Sequence, residues 1–194
     1  MEVKNLQNQK GFTLVEIAIV LVIIGLLLGG VLKGQEMINS AKIKSDTDAL
    51  VSLQASSYAY SDRIGRYPGD SATAAASNGE IVPTVVAAAD AAAGDFFEDL
   101  FVQGFLKTED PQPQWDEGAV FGAGFGSAAS IAAGTTLIPN RNQVCIFGIT
   151  DVQAVDVVTG IDVKLDDGVG TTGVVFFVNN GTAAAPDMDI CLEL

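Results

Sequence analysis

Gly11-Phe12-Thr13-Leu14-Val15-Glu16 opens a run that stays apolar, apart from Thr13, Glu16 and scattered glycines, as far as Leu32. Wound as a helix at 1.5 Å per residue, Phe12 to Leu32 reaches about 31 Å, the thickness of a bilayer's hydrocarbon core. The run therefore reads as a membrane span over 12–32. Lys4 and Lys10 precede it, and positive charge beside a span favours the cytoplasmic side, so the N-terminus is expected inside and the rest of the chain exported. A secretory signal cleaved near Ser40-Ala41, or an uncleaved anchor, is the plainer alternative, but neither accounts for Glu16 or the Gly-Phe junction. An ionised carboxylate costs at least ~2.5 kcal/mol to place in hydrocarbon, so Glu16 needs a partner, and the nearest candidate is a newly made amine.

Helical periodicity continues past the span. Ile43, Leu50, Leu53, Ser57, Tyr60, Ile64 and Tyr67 follow steps of three, four or seven residues, which line one helical face. No proline occurs before Pro68, which disfavours helix at the residue before it. One helix is expected from about Phe12 to Arg66, roughly 80 Å long, its first half apolar all round and its second half carrying a stripe for the chain's own core. Gly25, Gly29, Gly30 and Gly34 sit inside it, where each costs roughly 0.5–1 kcal/mol relative to alanine. They either unwind the helix locally or permit close contacts between helices.

Beyond Tyr67 the composition turns to Gly, Ala, Ser and Asp with short β-branched runs, and turns are expected at Pro68-Gly69-Asp70, Asn78-Gly79, Pro111 and Pro113. Asp95 to Leu106 carries phenylalanines at helical spacing and reads as a short helix. Gly122 to Gly134, rich in Gly, Ala and Ser, reads as a surface loop. Strands are expected at Gln143–Ile149, Val152–Val158 and Gly173–Val178. The fold class is thus α+β: a long N-terminal helix packed on a small, mainly antiparallel sheet. The expected divisions are a leader over 1–11, the helix over 12–67 and a globular head over 68–194.

The chain has a net charge of −14. Met1 to Lys44 holds five lysines against three acids, whereas Ser45 onward holds five basic residues against twenty-one acidic ones. Nucleic-acid binding draws affinity from Lys and Arg neutralising phosphates, so direct binding by the acidic head is not expected. There is no histidine, which removes His-assisted nucleophiles and His-ligated zinc. Gly122-Ala123-Gly124-Phe125-Gly126 lacks the ending of a phosphate loop. The acidic pairs Glu98/Asp99, Glu109/Asp110 and Asp116/Glu117 could serve a sugar hydrolase but read more simply as solvated surface.

The junction Gly11-Phe12-Thr13-Leu14-Val15-Glu16 resembles the processing site of type IV prepilins and of type II secretion pseudopilins. The resemblance implies cleavage between Gly11 and Phe12 by a prepilin peptidase that also methylates the Phe12 amine. It implies an assembly role for Glu16 opposite the Phe12 amine of a neighbouring subunit. It also implies other pilin subunits and an inner-membrane assembly platform as partners, and a single-pass inner-membrane location in a bacterium before entry into a periplasmic or extracellular filament. One departure is Lys33-Gly34 where many type IV pilins carry a helix-breaking proline. A glutamate at position 16 argues against the tip subunit of a secretion pseudopilus; major pilin, minor pilin and core pseudopilin stay open, with a minor pilin preferred because dense packing of so acidic a head is repulsive. No enzymatic activity is expected. A membrane-tethered binding protein or enzyme is the competing class.

Cys145 and Cys191 are the chain's two cysteines. Both fall in the part expected to be exported, where a disulfide is permitted; two free buried thiols are the alternative. Many type IV pilins bracket a C-terminal region in this way. Asp162, Asp166 and Asp167 form the one cluster able to offer a hard cation several oxygens, calcium being the natural choice. The spacing is not that of an EF-hand, and solvated turn residues with no cofactor are the plainer reading.

Overall fold

The computed structural model describes residues 11–70, 77–85, 95–126 and 140–194. The architecture is α+β: a long N-terminal helix followed by a small antiparallel sheet. Helix α1 spans Leu14–Ile64, within two residues of the expected ends. It stops where Gly65 turns to φ +85°, a conformation glycine adopts without penalty, three residues before Pro68. In this isolated chain the helix runs unbroken through Gly25, Gly29, Gly30 and Gly34.

Two compact units divide at Ser40 and Ala41. In the first, every residue from Gly11 to Lys33 is exposed, and α1 contains an 18-residue window of mean hydropathy 2.8. It is long and apolar enough to cross a membrane.

The second unit holds the core. Leu50, Leu53, Ser57 and Tyr60 of α1 are buried, and Ile43 and Tyr67 pack at the margin. Ile64, expected on the same stripe, is instead 41% exposed, since it closes the final helical turn. The sheet contains β1 (Thr84–Val85), β2 (Val120–Phe125), β3 (Asn142–Ile149), β4 (Val175–Asn179) and β5 (Met188–Glu193). Their order is β1-β2-β3-β5-β4, with every pair antiparallel. Helix α2 covers Phe96–Val102, with the Asp95 carboxylate accepting the Glu98 N–H at 2.8 Å as its N-cap. Helix α3 covers Ala154–Leu165.

Both faces of β3 are occupied, which explains its nearly continuous burial. Val144 and Ile146 join the main core with Phe121, Ile190 and Leu192. The alternate residues Cys145 and Phe147 join Cys191 and Val120 on the opposite face. A bulge interrupts the β3–β5 register after Ile146. There Gly148 takes φ +73°, and its N–H is received by Asp189 at 2.9 Å.

Three strand expectations need correction. Val152–Val158 is not a strand: Ala154, Val157, Val158 and Ile161 are buried at steps of three and four, and the segment forms α3. Its β-branched content was the misleading cue, and helical spacing overrode it. Gly122–Phe125, expected to begin a loop, forms most of β2, because strand pairing with β3 compensates for missing side chains; residues 127–134 of that low-complexity stretch lie outside the described residues. β5 was not foreseen, although Met188, Ile190 and Leu192 alternate with polar or small residues. β3 and β4 appear close to their expected positions, while the two-residue β1, like β5, was not expected. Much of the alanine-rich Ala72–Ala93 stretch also lies outside the described residues.

Candidate functional site

At the N-terminal junction, Phe12 is 84% exposed and Gly11 stands in open space. Thr13 is the residue before the first helical position, and Glu16 is the third residue of the helix. Glu16 Oε2 accepts both the Thr13 N–H and the Thr13 hydroxyl at 2.8 Å, while the Glu16 N–H donates to Thr13 Oγ1 at 3.3 Å. This is a reciprocal capping box. It lends the carboxylate two donors within its own chain and places its negative charge in the first turn, where the helix dipole favours it. Sequence reasoning missed Thr13, although Thr-x-x-Glu ahead of an apolar run is the pattern that would have revealed it.

Cys145 and Cys191 face each other across β3 and β5 and are joined by a disulfide with an S–S distance of 2.03 Å. In the same register row Gly122 lies beside Cys145, and Phe176 beside Cys191.

Asp162, Asp166 and Asp167 come together at the C-terminal end of α3, with one carboxylate oxygen from each lying within 4.8 Å of the others. Asp166 and Asp167 are exposed. Asp162 is fully buried on the stripe that α3 turns to the core, and neither of its oxygens has a hydrogen-bond partner. Burial raises its pKa, and Asp167 and Asp166 raise it further; the nearby Gly168 N–H opposes this without reaching hydrogen-bond geometry. Asp167 is held below the usual range by the Thr172 hydroxyl and the Val169 N–H, at 2.6 and 2.8 Å. Asp166 Oδ2 receives the Val174 N–H.

Several other acids are not simply solvated surface, although Glu109, Asp110 and Glu117 are exposed. Asp46 is buried on α1 and receives the Gln114 and Trp115 N–H groups at 2.7 and 3.0 Å. Its pKa is raised because burial outweighs these bonds and the Lys42 charge. Asp70 receives the Ser77 hydroxyl at 2.6 Å and the Gly79 N–H at 3.1 Å. Asp99 and Asp116, from the pairs considered for acid–base chemistry, also bind other segments. Asp99 joins Arg66 and the Gly69 N–H; Asp116 receives the Gly118 and Thr150 N–H groups, each at 2.9 Å. These carboxylates hold loops.

Residues 6–32 match the model of the prokaryotic N-terminal methylation motif. That motif is the hallmark of type IV pilins and pseudopilins, and it implies processing by a prepilin peptidase and assembly with other pilins. Proteins bearing it are generally structural, and together with the apolar helix it fits membrane anchoring. No curated protein and no solved structure is significantly similar to the chain.

Proposed function

We propose that the chain is a structural, non-catalytic subunit of a type IV pilus or pilus-like filament. It is cleaved between Gly11 and Phe12, methylated at Phe12, held single-pass in the inner membrane and assembled through packing of its 12–32 helix against neighbours. The observation that carries this reading is an exposed apolar helix surface bearing one carboxylate, Glu16, the fifth residue after the Gly11-Phe12 junction. In the single chain Thr13 satisfies that carboxylate. In the filament it accepts the charge of a neighbour's Phe12 amine, so that an out-of-register subunit would leave a buried ion unpaired at a cost of several kcal/mol. Cohesion comes from apolar contact between helices. The −14 charge favours a minor pilin over a bulk subunit, since closely packed acidic heads repel within the screening length of about 10 Å at 0.1 M salt.

Sheared filaments analysed by mass spectrometry test this. The expected N-terminal peptide begins at methylated Phe12. Recovery of the chain only from membranes, with residues 1–11 attached, would overturn the reading. Glu16→Ala should remain cleaved and membrane-resident yet enter filaments poorly.

A further inference from the structure

We propose that Asp162, Asp166 and Asp167 bind one calcium ion at the C-terminal end of α3. The cluster alone would be ordinary acidic surface, but Asp162 is not surface. It occupies a core-facing position between Ile161 and Leu165, is 0% exposed, and has no hydrogen-bond donor for either oxygen. A buried polar group without a partner is costly, and here both oxygens of one carboxylate are left bare, one of them within 4.8 Å of an oxygen from each of two more carboxylates. Among the described residues, no Lys or Arg forms an ion pair with any of the three. The helix end adds to the imbalance, because the last carbonyls of α3 present the negative pole of its dipole to the same place. A divalent cation supplies the missing positive charge to all these groups together.

The donor set selects the ion. All three side chains offer hard oxygen, the chain has no histidine, and its two cysteines are joined to each other, so soft or borderline metals find no ligands. Calcium accepts irregular oxygen geometries with six to eight ligands, leaving room for backbone carbonyls and water, whereas magnesium demands a near-ideal octahedron. The two exposed aspartates are held ready from the loop side. Thr172 and the Val169 N–H fix Asp167, and the Val174 N–H anchors Asp166 through Oδ2. Gly173 makes that last arrangement possible, since a Cβ there would lie 1.5 Å from Asp166 Oδ2. The site belongs to the head alone, so it holds whether or not the chain enters a filament.

Isothermal titration of the full chain in detergent micelles, stripped with EDTA, decides the matter. One saturable calcium site is expected, with a Kd of about 10⁻⁴–10⁻³ M, typical of extracellular calcium modules, and magnesium should bind more weakly. The melting temperature should rise with calcium at constant ionic strength. Asp162→Asn should abolish binding and Asp167→Asn should weaken it at least about tenfold, whereas Glu117→Gln, an exposed acid elsewhere, should leave it unchanged. Asp167 is exposed, so its variant keeps the test open if Asp162→Asn does not fold. Absence of a saturable site, calcium binding no tighter than magnesium, or unaltered affinity in Asp167→Asn would overturn the proposal.

Discussion

Arg66 and Asp99 meet at 3.0 Å with their side chains only 20% and 14% exposed, joining the segment after α1 to the middle of α2. The same Asp99 oxygen takes the Gly69 N–H at 2.9 Å, and Arg66 also donates to the Asp70 carbonyl at 2.6 Å. Asp99→Ala would leave the Arg66 charge without its carboxylate and the Gly69 N–H without its acceptor. A loss of about 2–3 kcal/mol in unfolding free energy is expected. Denaturant titration in detergent, followed by the fluorescence of Trp115, would measure it; a change below about 0.5 kcal/mol would show the contact to be incidental.

Asp116 gives a pH dependence with a definite sign. Burial alone would raise its pKa, but the Gly118 N–H, the Thr150 N–H and hydroxyl, and the Asp151 N–H bring it below the ordinary range. A carboxyl whose folded pKa lies below its unfolded value of about 3.9 contributes stability above that value and loses it as pH falls through the folded pKa. Asp116→Asn should therefore melt below the parent protein at pH 7. The gap should close as the pH is taken below about 4, and a gap independent of pH would contradict the assignment.

Gly122 is fixed by its neighbours. A Cβ there would lie 2.4 Å from Phe147 Cε2 and 2.9 Å from the Thr84 carbonyl oxygen. Gly122→Ala should destabilise the head by about 1–3 kcal/mol, the usual cost of overpacking. Adding Phe147→Leu should recover only part of the loss, because the backbone contact remains. Thermal melts of the single and double variants provide the comparison.

The disulfide closes a separation of 46 residues. On the chain-entropy account, a loop of that size stabilises by about 4 kcal/mol, and measured values run at or below such estimates. Replacing both Cys145 and Cys191 by alanine should cost about 2–4 kcal/mol in a denaturant titration. Alkylation of the unreduced parent protein should leave its mass unchanged, and two modified thiols would refute the bond.

The long helix was legible because hydropathy, periodicity and Pro68 all act locally, and the junction was legible because six consecutive residues carry it. The sheet was harder. β2 is read as a loop if glycine is judged by propensity alone, yet Gly122 is required by the Phe147 ring lying against it. α3 resembled a strand because Val157 and Val158 are β-branched, whereas Ala154, Val158, Ile161 and Leu165 carry helical spacing. The acids were misjudged only in part: Glu109, Asp110 and Glu117 are exposed as expected, whereas Asp99 and Asp116 are tied to backbone N–H groups. Composition tells that the head is acidic, but not that Asp46 captures backbone sixty-eight residues away, or that Asp162 is placed on the buried side of α3. Both facts arise from tertiary packing, which no local window contains.

The strand order β1-β2-β3-β5-β4 imposes a schedule on folding. β4 is made before β5, but among the described residues its only neighbour in the sheet is β5, so it has no described edge to dock on while the ribosome is still producing residues 180–193. β2 and β3 can pair as soon as both exist, whereas the disulfide and the far half of the sheet must wait for Met188–Glu193. Such distant pairing slows folding and prolongs exposure of open strand edges. A late-arriving central strand thus leaves the nascent head in need of shelter until its final hydrogen-bond ladders close.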